Sequence, residues 1–571
     1  MLTKWGKALD REHPLPEYPR PQLQRDSYLN LNGIWEYAIT GSDTIPQKMD
    51  GEIIVPFSPE SELSGVGRTL HADEILWYRR CVSLPKGFLK SRLMLHFCAV
   101  DQDAEVYING KLCIRHEGGY TPFSADVTTL WYPDEENEIL VKVRDDTDKT
   151  WHSRGKQKTK RGGIWYTPQS GIWQTVWMES LPDCAVRDLM IRPDCGNARC
   201  EITVFSDHPA ECGLKIGERS FTFRTGEAFF LPMPEFKYWS PEHPHLYDFE
   251  IKLGEDRIRS YFAMRSFETG KDAEGHPRLF LNGHPYFHNG LLDQGYYSDG
   301  LLTPPSDEAM IHDIRTAKEL GFNTLRKHIK IEPLRWYYHC DRLGMLVWQD
   351  FVNGGRNYDF LFVSAPVKIS FPSPSDHHYR LFGRQDAEGR EAWYRELRET
   401  VLLLRNVPSI AMWVPFNEAW GQFDAAEAAR RVQALDPTRT IDTVSGWYDQ
   451  GIGEFRSHHV YFKPYTFKAD KAGRTVLLSE FGGYTCRIPG HCFSDSEFGY
   501  KRFNSKEDLV QAFEKLYREE ILPAKEQGLA AAIYTQLTDV EDELNGMMTY
   551  DREILKYPPE RTRALFSNLS L

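Results

Sequence analysis

Apolar and polar residues alternate in many short runs along the first third of the chain. In one run Leu93, Leu95 and Phe97 fall on a single face, and similar runs lie on both sides of the Asn109-Gly110 pair. A period of two is typical of strands that bury one face, and Asn-Gly between two such runs predicts a hairpin turn. The pattern therefore predicts an all-β sandwich over residues 1–180.

The pattern changes twice further along the chain. From residue 181 to residue 265 the predicted strands are shorter and prolines interrupt them, which fits a second sandwich of immunoglobulin-like size. From residue 266 to residue 571 apolar strand-like runs alternate with helical patterns, as in a (β/α)8 barrel. Eight candidate strands can be counted there, at residues 286–290, 322–328, 345–351, 409–416, 440–446, 456–461, 475–481 and 530–537.

Two segments between these barrel strands are distinctive. Apolar residues recur at every third position up to Leu320, Ser306 can cap the helix that they predict, and Gly321 can end it. Further helices are predicted at residues 424–435 and 506–527. The segment 353–384 has three prolines and little periodicity, and we expect it to form part of a pocket wall. The alternative is a surface loop without regular structure.

Composition narrows the classes of partner. The 571 residues include 69 basic and 82 acidic side chains, which gives a formal net charge of -13, and the two signs are interspersed. We therefore expect no nucleic-acid partner, and no apolar run approaches the roughly 20 residues of a membrane span. The first residues have no secretory core and the ten cysteines form no repeated framework, so we expect a cytoplasmic protein. No ligand cluster demands a metal, and we expect no cofactor.

Two glutamates directly follow apolar runs. Asn417-Glu418 follows residues 409–416, and Glu480 lies just after residues 475–478. Barrel active sites are built from the carboxyl ends of strands, so both acids are predicted on one face. Glycoside hydrolysis needs such a pair of carboxyl groups, and the amide of Asn417 can bind a sugar 2-hydroxyl. The sequence therefore predicts a glycosidase, with a helix cap and a solvated acid as the alternative interpretation of Asn417-Glu418.

The chain resembles glycoside hydrolase family 2, the family of β-galactosidases, β-glucuronidases and β-mannosidases. The resemblance covers nearly the whole length and rests on residues 31–35, 77–80 and 170–174 for a jelly-roll, sugar-binding-like sandwich, on 239–241 with 246–247 for the immunoglobulin-like domain, and on 321–328, 417–418 and 479–482 for the barrel. It implies that Glu418 is the acid/base and Glu480 the nucleophile of a retaining mechanism.

The resemblance and the strand-end positions indicate further site residues. Arg326 is implied as the partner that keeps the nucleophile ionised, with an ion pair inside the barrel as its alternative role. The remaining candidates are expected to bind sugar hydroxyls, to line the pocket or to contact the nucleophile, and packing is the alternative for the aromatic ones. These candidates are His328, Asp350, Asp293, Trp447 and Tyr461.

One departure from the family's sequence pattern limits the expected substrate. Family β-glucuronidases carry Asn-x-Lys in the last barrel loops, whereas Asn545 is followed here by Gly546 and Met547. We therefore expect an exo-β-glycosidase of the β-galactosidase type that acts on an oligosaccharide or glycoconjugate. The alternatives are an exo-β-uronidase, in which another cation replaces the missing lysine, and a non-catalytic carbohydrate-binding protein. The cations considered are Lys327, Lys330 and Arg335.

The length of the chain and the resemblance suggest two further features. The chain ends soon after the predicted barrel, so we expect the C-terminal sandwich domains of large β-galactosidases to be missing. Family members often associate through their β domains, so a homo-oligomer is an expected partner arrangement. No sequence feature determines the number of subunits.

Overall fold

The computed structural model describes residues 1–359, 362–363, 365–367 and 373–569. Two β-sandwiches precede a parallel eight-stranded barrel, which confirms the predicted fold class. Among the described residues, no helix combines the length and the apolar character needed to cross a membrane.

The first sandwich packs a four-stranded sheet on a six-stranded sheet, and residues of both sheets share one core. The predicted hairpin is present, because Asn109 and Gly110 adopt φ angles of 50° and 75° between two paired strands. The smaller sheet contains Leu29–Asn30, Val176–Leu181, Arg92–Phe97 and Phe123–Asp126. The larger sheet contains Gly51–Val55, Gly33–Thr40, Ile75–Val82, Asn137–Arg144, Asp103–Ile108 and Lys111–Glu117.

The second sandwich is smaller and has a separate core. Its three-stranded sheet contains Val186–Asp194, Arg199–Ser206 and Ala228–Pro232, and its four-stranded sheet contains Arg219–Arg224, Glu211–Ile216, Tyr247–Leu253 and Asp256–Phe262. A small sheet then leads into the barrel and consists of Phe267–Lys271, Pro277–Leu281 and His284–Pro285. From this small sheet Leu279 packs against Leu477 and Ala530, so it helps to fill the barrel interior and leaves the carboxyl ends of the strands for a site.

The barrel strands, labelled β1 to β8, run parallel in one sheet. They are His288–Asp293, Thr324–Lys327, Leu346–Asp350, Ile410–Val414, Thr440–Ile441, Phe455–Val460, Thr475–Gly482 and Leu529–Thr535. Strand β8 pairs with both β1 and β7, while β5 and β6 form the two ends of the sheet. All eight predicted strands are therefore present, with ends shifted by a few residues.

Helices connect most of these strands on the outside. They are Asp307–Glu319, Leu334–Leu343, Ala387–Leu404, Ala425–Leu435, Lys506–Leu516, Leu522–Gln527 and Pro559–Phe566. Ser306 caps the first of them as predicted, since its hydroxyl accepts a hydrogen bond of 3.2 Å from the amide of Ala309. Gly321 follows that helix with a φ angle of 93°, a conformation that glycine adopts without steric cost.

The predicted pocket-wall segment is described only in part, because residues 360–361, 364 and 368–372 lie outside the described residues. In the described part, the carbonyl of Asn353 accepts a hydrogen bond of 2.9 Å from the amide of Arg154. Further along, Phe382 and Tyr448 belong to one cluster with Ala419, next to Glu418. The described parts of this segment therefore contact both the first sandwich and the loop after β4.

Candidate active site

Glu418 leaves the end of β4 through a strained turn. A short strand, Phe416–Asn417, extends β4 and pairs with Val444–Ser445. The amide of Glu418 donates a hydrogen bond of 2.9 Å to the carbonyl of Ser445, and Glu418 itself adopts a φ angle of 49°. A left-handed conformation is costly for a residue with a side chain, and such strain is concentrated at functional sites. Here it turns the chain out of the strand while Glu418 stays 8% exposed.

Glu480 lies within β7, next to breaks in the strand register. The pairing of β7 with β8 shifts between Leu478 and Phe481, and the pairing of β6 with β7 shifts between His458 and His459. Bulges of this kind change the direction of neighbouring side chains and are enriched beside active sites. Glu480 is 4% exposed, so its carboxylate is held within the barrel mouth rather than on the surface.

The two glutamates meet around one imidazole. His459 Nδ1 lies 2.7 Å from Glu418 Oε1 and 3.5 Å from Glu480 Oε2. An oxygen of each glutamate and the nitrogen of His459 all lie within 4.8 Å of one another. Retaining glycosidases hold their carboxyl groups about 5 to 5.5 Å apart, whereas inverting enzymes need about 6.5 to 9.5 Å to admit a water. The nearest carboxyl oxygens of the two glutamates are therefore closer than the gap of an inverting pair, which favours a retaining arrangement.

The surroundings of the two acids differ in charge. Burial raises the pKa of Glu418 to about 7, and Lys156 and Arg326 only partly oppose it. Burial also raises the pKa of Glu480 and the charge of Glu418 adds to this, but His459 and Arg326 favour its ionised form. The hydroxyl of Tyr461 donates a hydrogen bond to Glu480 as well. Glu418 therefore holds its proton up to about pH 7, while Arg326 and Tyr461 favour the ionised form of Glu480 against its burial.

Arg326 joins the site residues into one network. Its guanidinium donates two hydrogen bonds of 3.0 Å to Asp350, one of 3.1 Å to Glu480 and one of 2.8 Å to the side-chain oxygen of Asn417. Arg326 has no solvent exposure, so two buried carboxylates balance one buried cation. Because Arg326 holds the oxygen of Asn417, the amide nitrogen of Asn417 is the free end, and it has no hydrogen-bond partner among the described residues. This unpaired donor is available to a ligand hydroxyl.

The other predicted residues divide into two groups. His328 Nδ1 lies 2.8 Å from Asp350, and the ring of Trp447 meets His459 edge-on at 5.6 Å, so both adjoin the site. Asp293 instead forms an ion pair of 2.6 Å with Lys327, and that pair belongs to a separate buried cluster with Glu332. The carboxylate of Asp293 is therefore already occupied, and a direct contact to substrate stays a prediction.

Several residues of the site are not among those predicted from the sequence. His459 is one of these residues, although the alternating burial of β6 places Ser457 and His459 on the buried face and Tyr461, directly after the strand, continues it. Glu543 lies after β8, is buried and accepts hydrogen bonds from the hydroxyl of Tyr166 and from Asn545. Tyr166 comes from the first sandwich, so no pattern within the barrel could indicate it.

Other clusters of possible metal ligands lie away from the two glutamates. The described residues contain three such groups, and each has at least one exposed or half-exposed member: Asp103 with Glu117 and His152, Asp376 with His377 and Asp424, and His491 with Asp551 and Glu553. Within the site, Glu418, His459 and Glu480 have atoms that could bind a cation. The same atoms already take part in hydrogen bonds, between His459 and Glu418 and between the hydroxyl of Tyr461 and Glu480.

The fold and the paired glutamates are those of a glycoside hydrolase. Models of the sugar binding domain, of a second domain and of the TIM barrel domain of glycosyl hydrolases family 2 match residues 68–182, 187–265 and 305–480. The chain therefore belongs to glycosyl hydrolase family 2.

Individual relatives are distant. A β-galactosidase of Thermoanaerobacter pseudethanolicus is 23% identical over 391 residues, which cover 64% of this chain and 48% of that protein. A β-D-glucuronidase structure from Dictyoglomus thermophilum has a TM-score of 0.73 and 17% identity, covering 96% of this chain and 98% of that one. A β-galacturonidase from Eisenbergiella tayi, bound to galacturonate, has a TM-score of 0.71 and 19% identity, covering 97% and 100%. The chain spans about half or less of the first curated relatives that it matches.

Proposed function

We propose that the protein is a retaining exo-β-glycosidase that removes a terminal sugar from an oligosaccharide or glycoconjugate. The observation that carries this proposal is that a carboxylate oxygen of Glu418 and one of Glu480 lie within 4.8 Å of each other in the barrel mouth. Glu480 attacks the anomeric carbon and forms a glycosyl-enzyme, while Glu418 protonates the departing oxygen. Glu418 then takes a proton from a water whose oxygen bonds to the anomeric carbon, the bond to Glu480 breaks, and the sugar is released with its configuration retained.

The neighbours of the two acids fit these steps. Arg326 and Tyr461 donate hydrogen bonds to Glu480, which stabilises the negative charge that the nucleophile needs. The unpaired amide of Asn417 can bind the sugar 2-hydroxyl, an interaction that strengthens as positive charge develops at the anomeric carbon. The raised pKa of Glu418, about 7, leaves about half of this acid protonated in the free enzyme at neutral pH and most of it protonated at lower pH.

For the terminal sugar we favour a neutral β-galactoside-type residue. Glu543 is buried close enough to raise the pKa of Glu418, and it has no cationic partner within 4.0 Å among the described side chains. A second anion beside Glu543 would be repelled, whereas sugar hydroxyls can donate to it. The cations considered as replacements for the missing lysine are already paired, with Lys327 and Lys330 on Glu332 and Arg335 on Asp307.

A β-uronide is the second candidate. Solved structures with the same fold carry the names β-glucuronidase and β-galacturonidase, so relatives with this architecture act on uronides. Their identities of 17% and 19% are too low to carry specificity to this chain. Direct comparison of the two classes of substrate separates the candidates.

The test is hydrolysis of aryl β-glycosides by the wild type, by Glu480→Gln and by the partly exposed control Glu427→Gln, which lies on a helix outside the barrel. The panel contains the galactoside, glucoside, mannoside, glucuronide and galacturonide, and NMR follows the anomeric configuration of the first product. We expect cleavage of the galactoside with retention, no activity in Glu480→Gln and full activity in the control. Preferred uronide cleavage would replace the galactoside assignment. Sugar binding without any cleavage would support a non-catalytic carbohydrate-binding protein instead.

A further inference from the structure

An arm of the first sandwich, residues 154–167, reaches the barrel mouth; it is called the sandwich arm below. Arg154 in this arm donates its backbone amide to Asn353, and Tyr166 donates its hydroxyl to Glu543. The ring of Trp165 lies 5.1 Å from that of Trp420. The arm therefore contacts the loops that follow β3, β4 and β8, and it contributes side chains to the wall of the site.

Lys156 in this arm is a buried cation that forms no ion pair with any described carboxylate. It is 6% exposed, and its ammonium lies 5.4 Å from the ring of Trp420 and 5.5 Å from that of Tyr166. Its side chain forms no ion pair within 4.0 Å among the described residues. By contrast, the buried Lys327 and Lys556 each have a carboxylate at 2.6 Å. Because buried charges are normally paired, Lys156 is suited to bind an anion that the described residues do not supply.

A second cation and an aromatic surface lie next to Lys156. The ammonium of Lys158 stands over the ring of Trp165 at 4.6 Å and likewise has no described carboxylate within 4.0 Å. Trp165 and Lys158 are only partly buried, so this part of the wall is open to solvent. An aromatic face beside two unpaired ammonium groups suits a ring that carries an acidic substituent.

The position of Lys156 relative to the two glutamates indicates which part of a substrate it meets. Trp420, under the Lys156 ammonium, follows Glu418 by two residues, and Lys156 is the cation with the greatest effect on the pKa of Glu418. The permanent cation in contact with Glu480 is instead Arg326, which donates it a hydrogen bond of 3.1 Å. An acid/base contacts the oxygen between the terminal sugar and its leaving group, while the nucleophile contacts the anomeric carbon. Lys156 is therefore on the leaving-group side.

We propose that the sandwich arm forms the leaving-group subsite and that Lys156, assisted by Lys158, binds a carboxylate on the group to which the terminal sugar is attached. The substrate class is then a neutral terminal β-glycoside linked to an acidic sugar or another acidic ring, which lies beside Trp165 and Lys158. This inference rests on the proposed exo-β-glycosidase activity, and it adds the chemistry of the second position. It leaves the terminal sugar neutral, in agreement with the acidic surroundings of Glu543.

The experiment compares two umbelliferyl β-galactosides that differ by a carboxylate on the coumarin ring. The enzymes are the wild type, Lys156→Met, Lys156→Arg and the exposed control Lys111→Met from the same sandwich. We expect the wild type to prefer the carboxylated substrate and Lys156→Met to lose about ten- to a hundredfold of that preference in kcat/KM, mainly through KM. Lys156→Arg should recover part of the preference, and Lys111→Met should leave it unchanged.

Two results would overturn this proposal. One is an unchanged ratio between the two substrates in Lys156→Met while both are still cleaved. The other is a selective loss of β-uronide cleavage in Lys156→Met, which would assign the anion to the terminal sugar. Failure of all hydrolysis would instead refute the exo-β-glycosidase activity. In that case calorimetric binding of both compounds to Glu480→Gln and to the double variant with Lys156→Met still tests the subsite, and equal affinities would refute it.

Discussion

Replacing Glu418 by glutamine should stabilise the protein at high pH but not at low pH. Burial raises the pKa of Glu418 from its ordinary value of 4.5 to about 7. The folded protein therefore holds this proton more tightly than the unfolded chain does, and the associated stability is lost as pH rises from about 4.5 through about 7. The difference of about 2.5 pH units corresponds to about 3 to 4 kcal/mol, at about 1.4 kcal/mol per unit. Glutamine stays neutral and avoids this loss.

The assay is thermal unfolding of the wild type and Glu418→Gln at pH 4.5 and pH 8. We expect the melting temperature of the barrel in the variant, relative to that of the wild type, to be several degrees higher at pH 8 than at pH 4.5. The control is Glu427→Gln, because Arg430 and Arg431 lower the pKa of Glu427 and its replacement removes a favourable charge. A gap between wild type and Glu418→Gln that does not change with pH would refute the argument from burial.

Two kinetic predictions follow from the same contacts. The wild-type kcat/KM should fall above about pH 7 as Glu418 loses its proton, and this limb should be absent in Glu418→Gln with an aryl leaving group that needs no protonation; a persistent limb would assign it to another group. Tyr461→Phe removes a hydrogen bond that favours the ionised form of Glu480, so the acid limb should move to higher pH and kcat should fall about ten- to a hundredfold. An unchanged acid limb would contradict that role, and circular dichroism checks that the variant is folded.

The order of elements and the two acids could be predicted because their signals are local. A period of two indicates a half-buried strand, and alternation of apolar runs with helical patterns indicates parallel strands. Parallel strands in a barrel share the face of their carboxyl ends, so Glu418 and Glu480 had to lie on the same side. The same reasoning extends to His459 near the end of β6, because Tyr461 follows it by two residues, directly after the strand, and both side chains are buried.

The pairing of charges could not be predicted in this way. Three cations that are candidates from the sequence for binding a substrate carboxylate lie near one another in the chain. They are Lys327, Lys330 and Arg335. In the folded chain Glu332 neutralises the two lysines, and Asp307 holds the arginine. Whether a cation is free depends on distances of a few ångströms between side chains, and sequence spacing does not specify them.

The sequence by itself determined the three-part architecture and the two glutamates, because strand and helix periodicity are properties of neighbouring residues. Only the tertiary structure decided how close Glu418 and Glu480 lie, how Arg326 links Glu480 to Asn417, and that Lys156 enters the site from the first sandwich. These contacts join residues far apart in the chain across loops and between domains. Their geometry follows from packing of the whole molecule, and no local pattern encodes it.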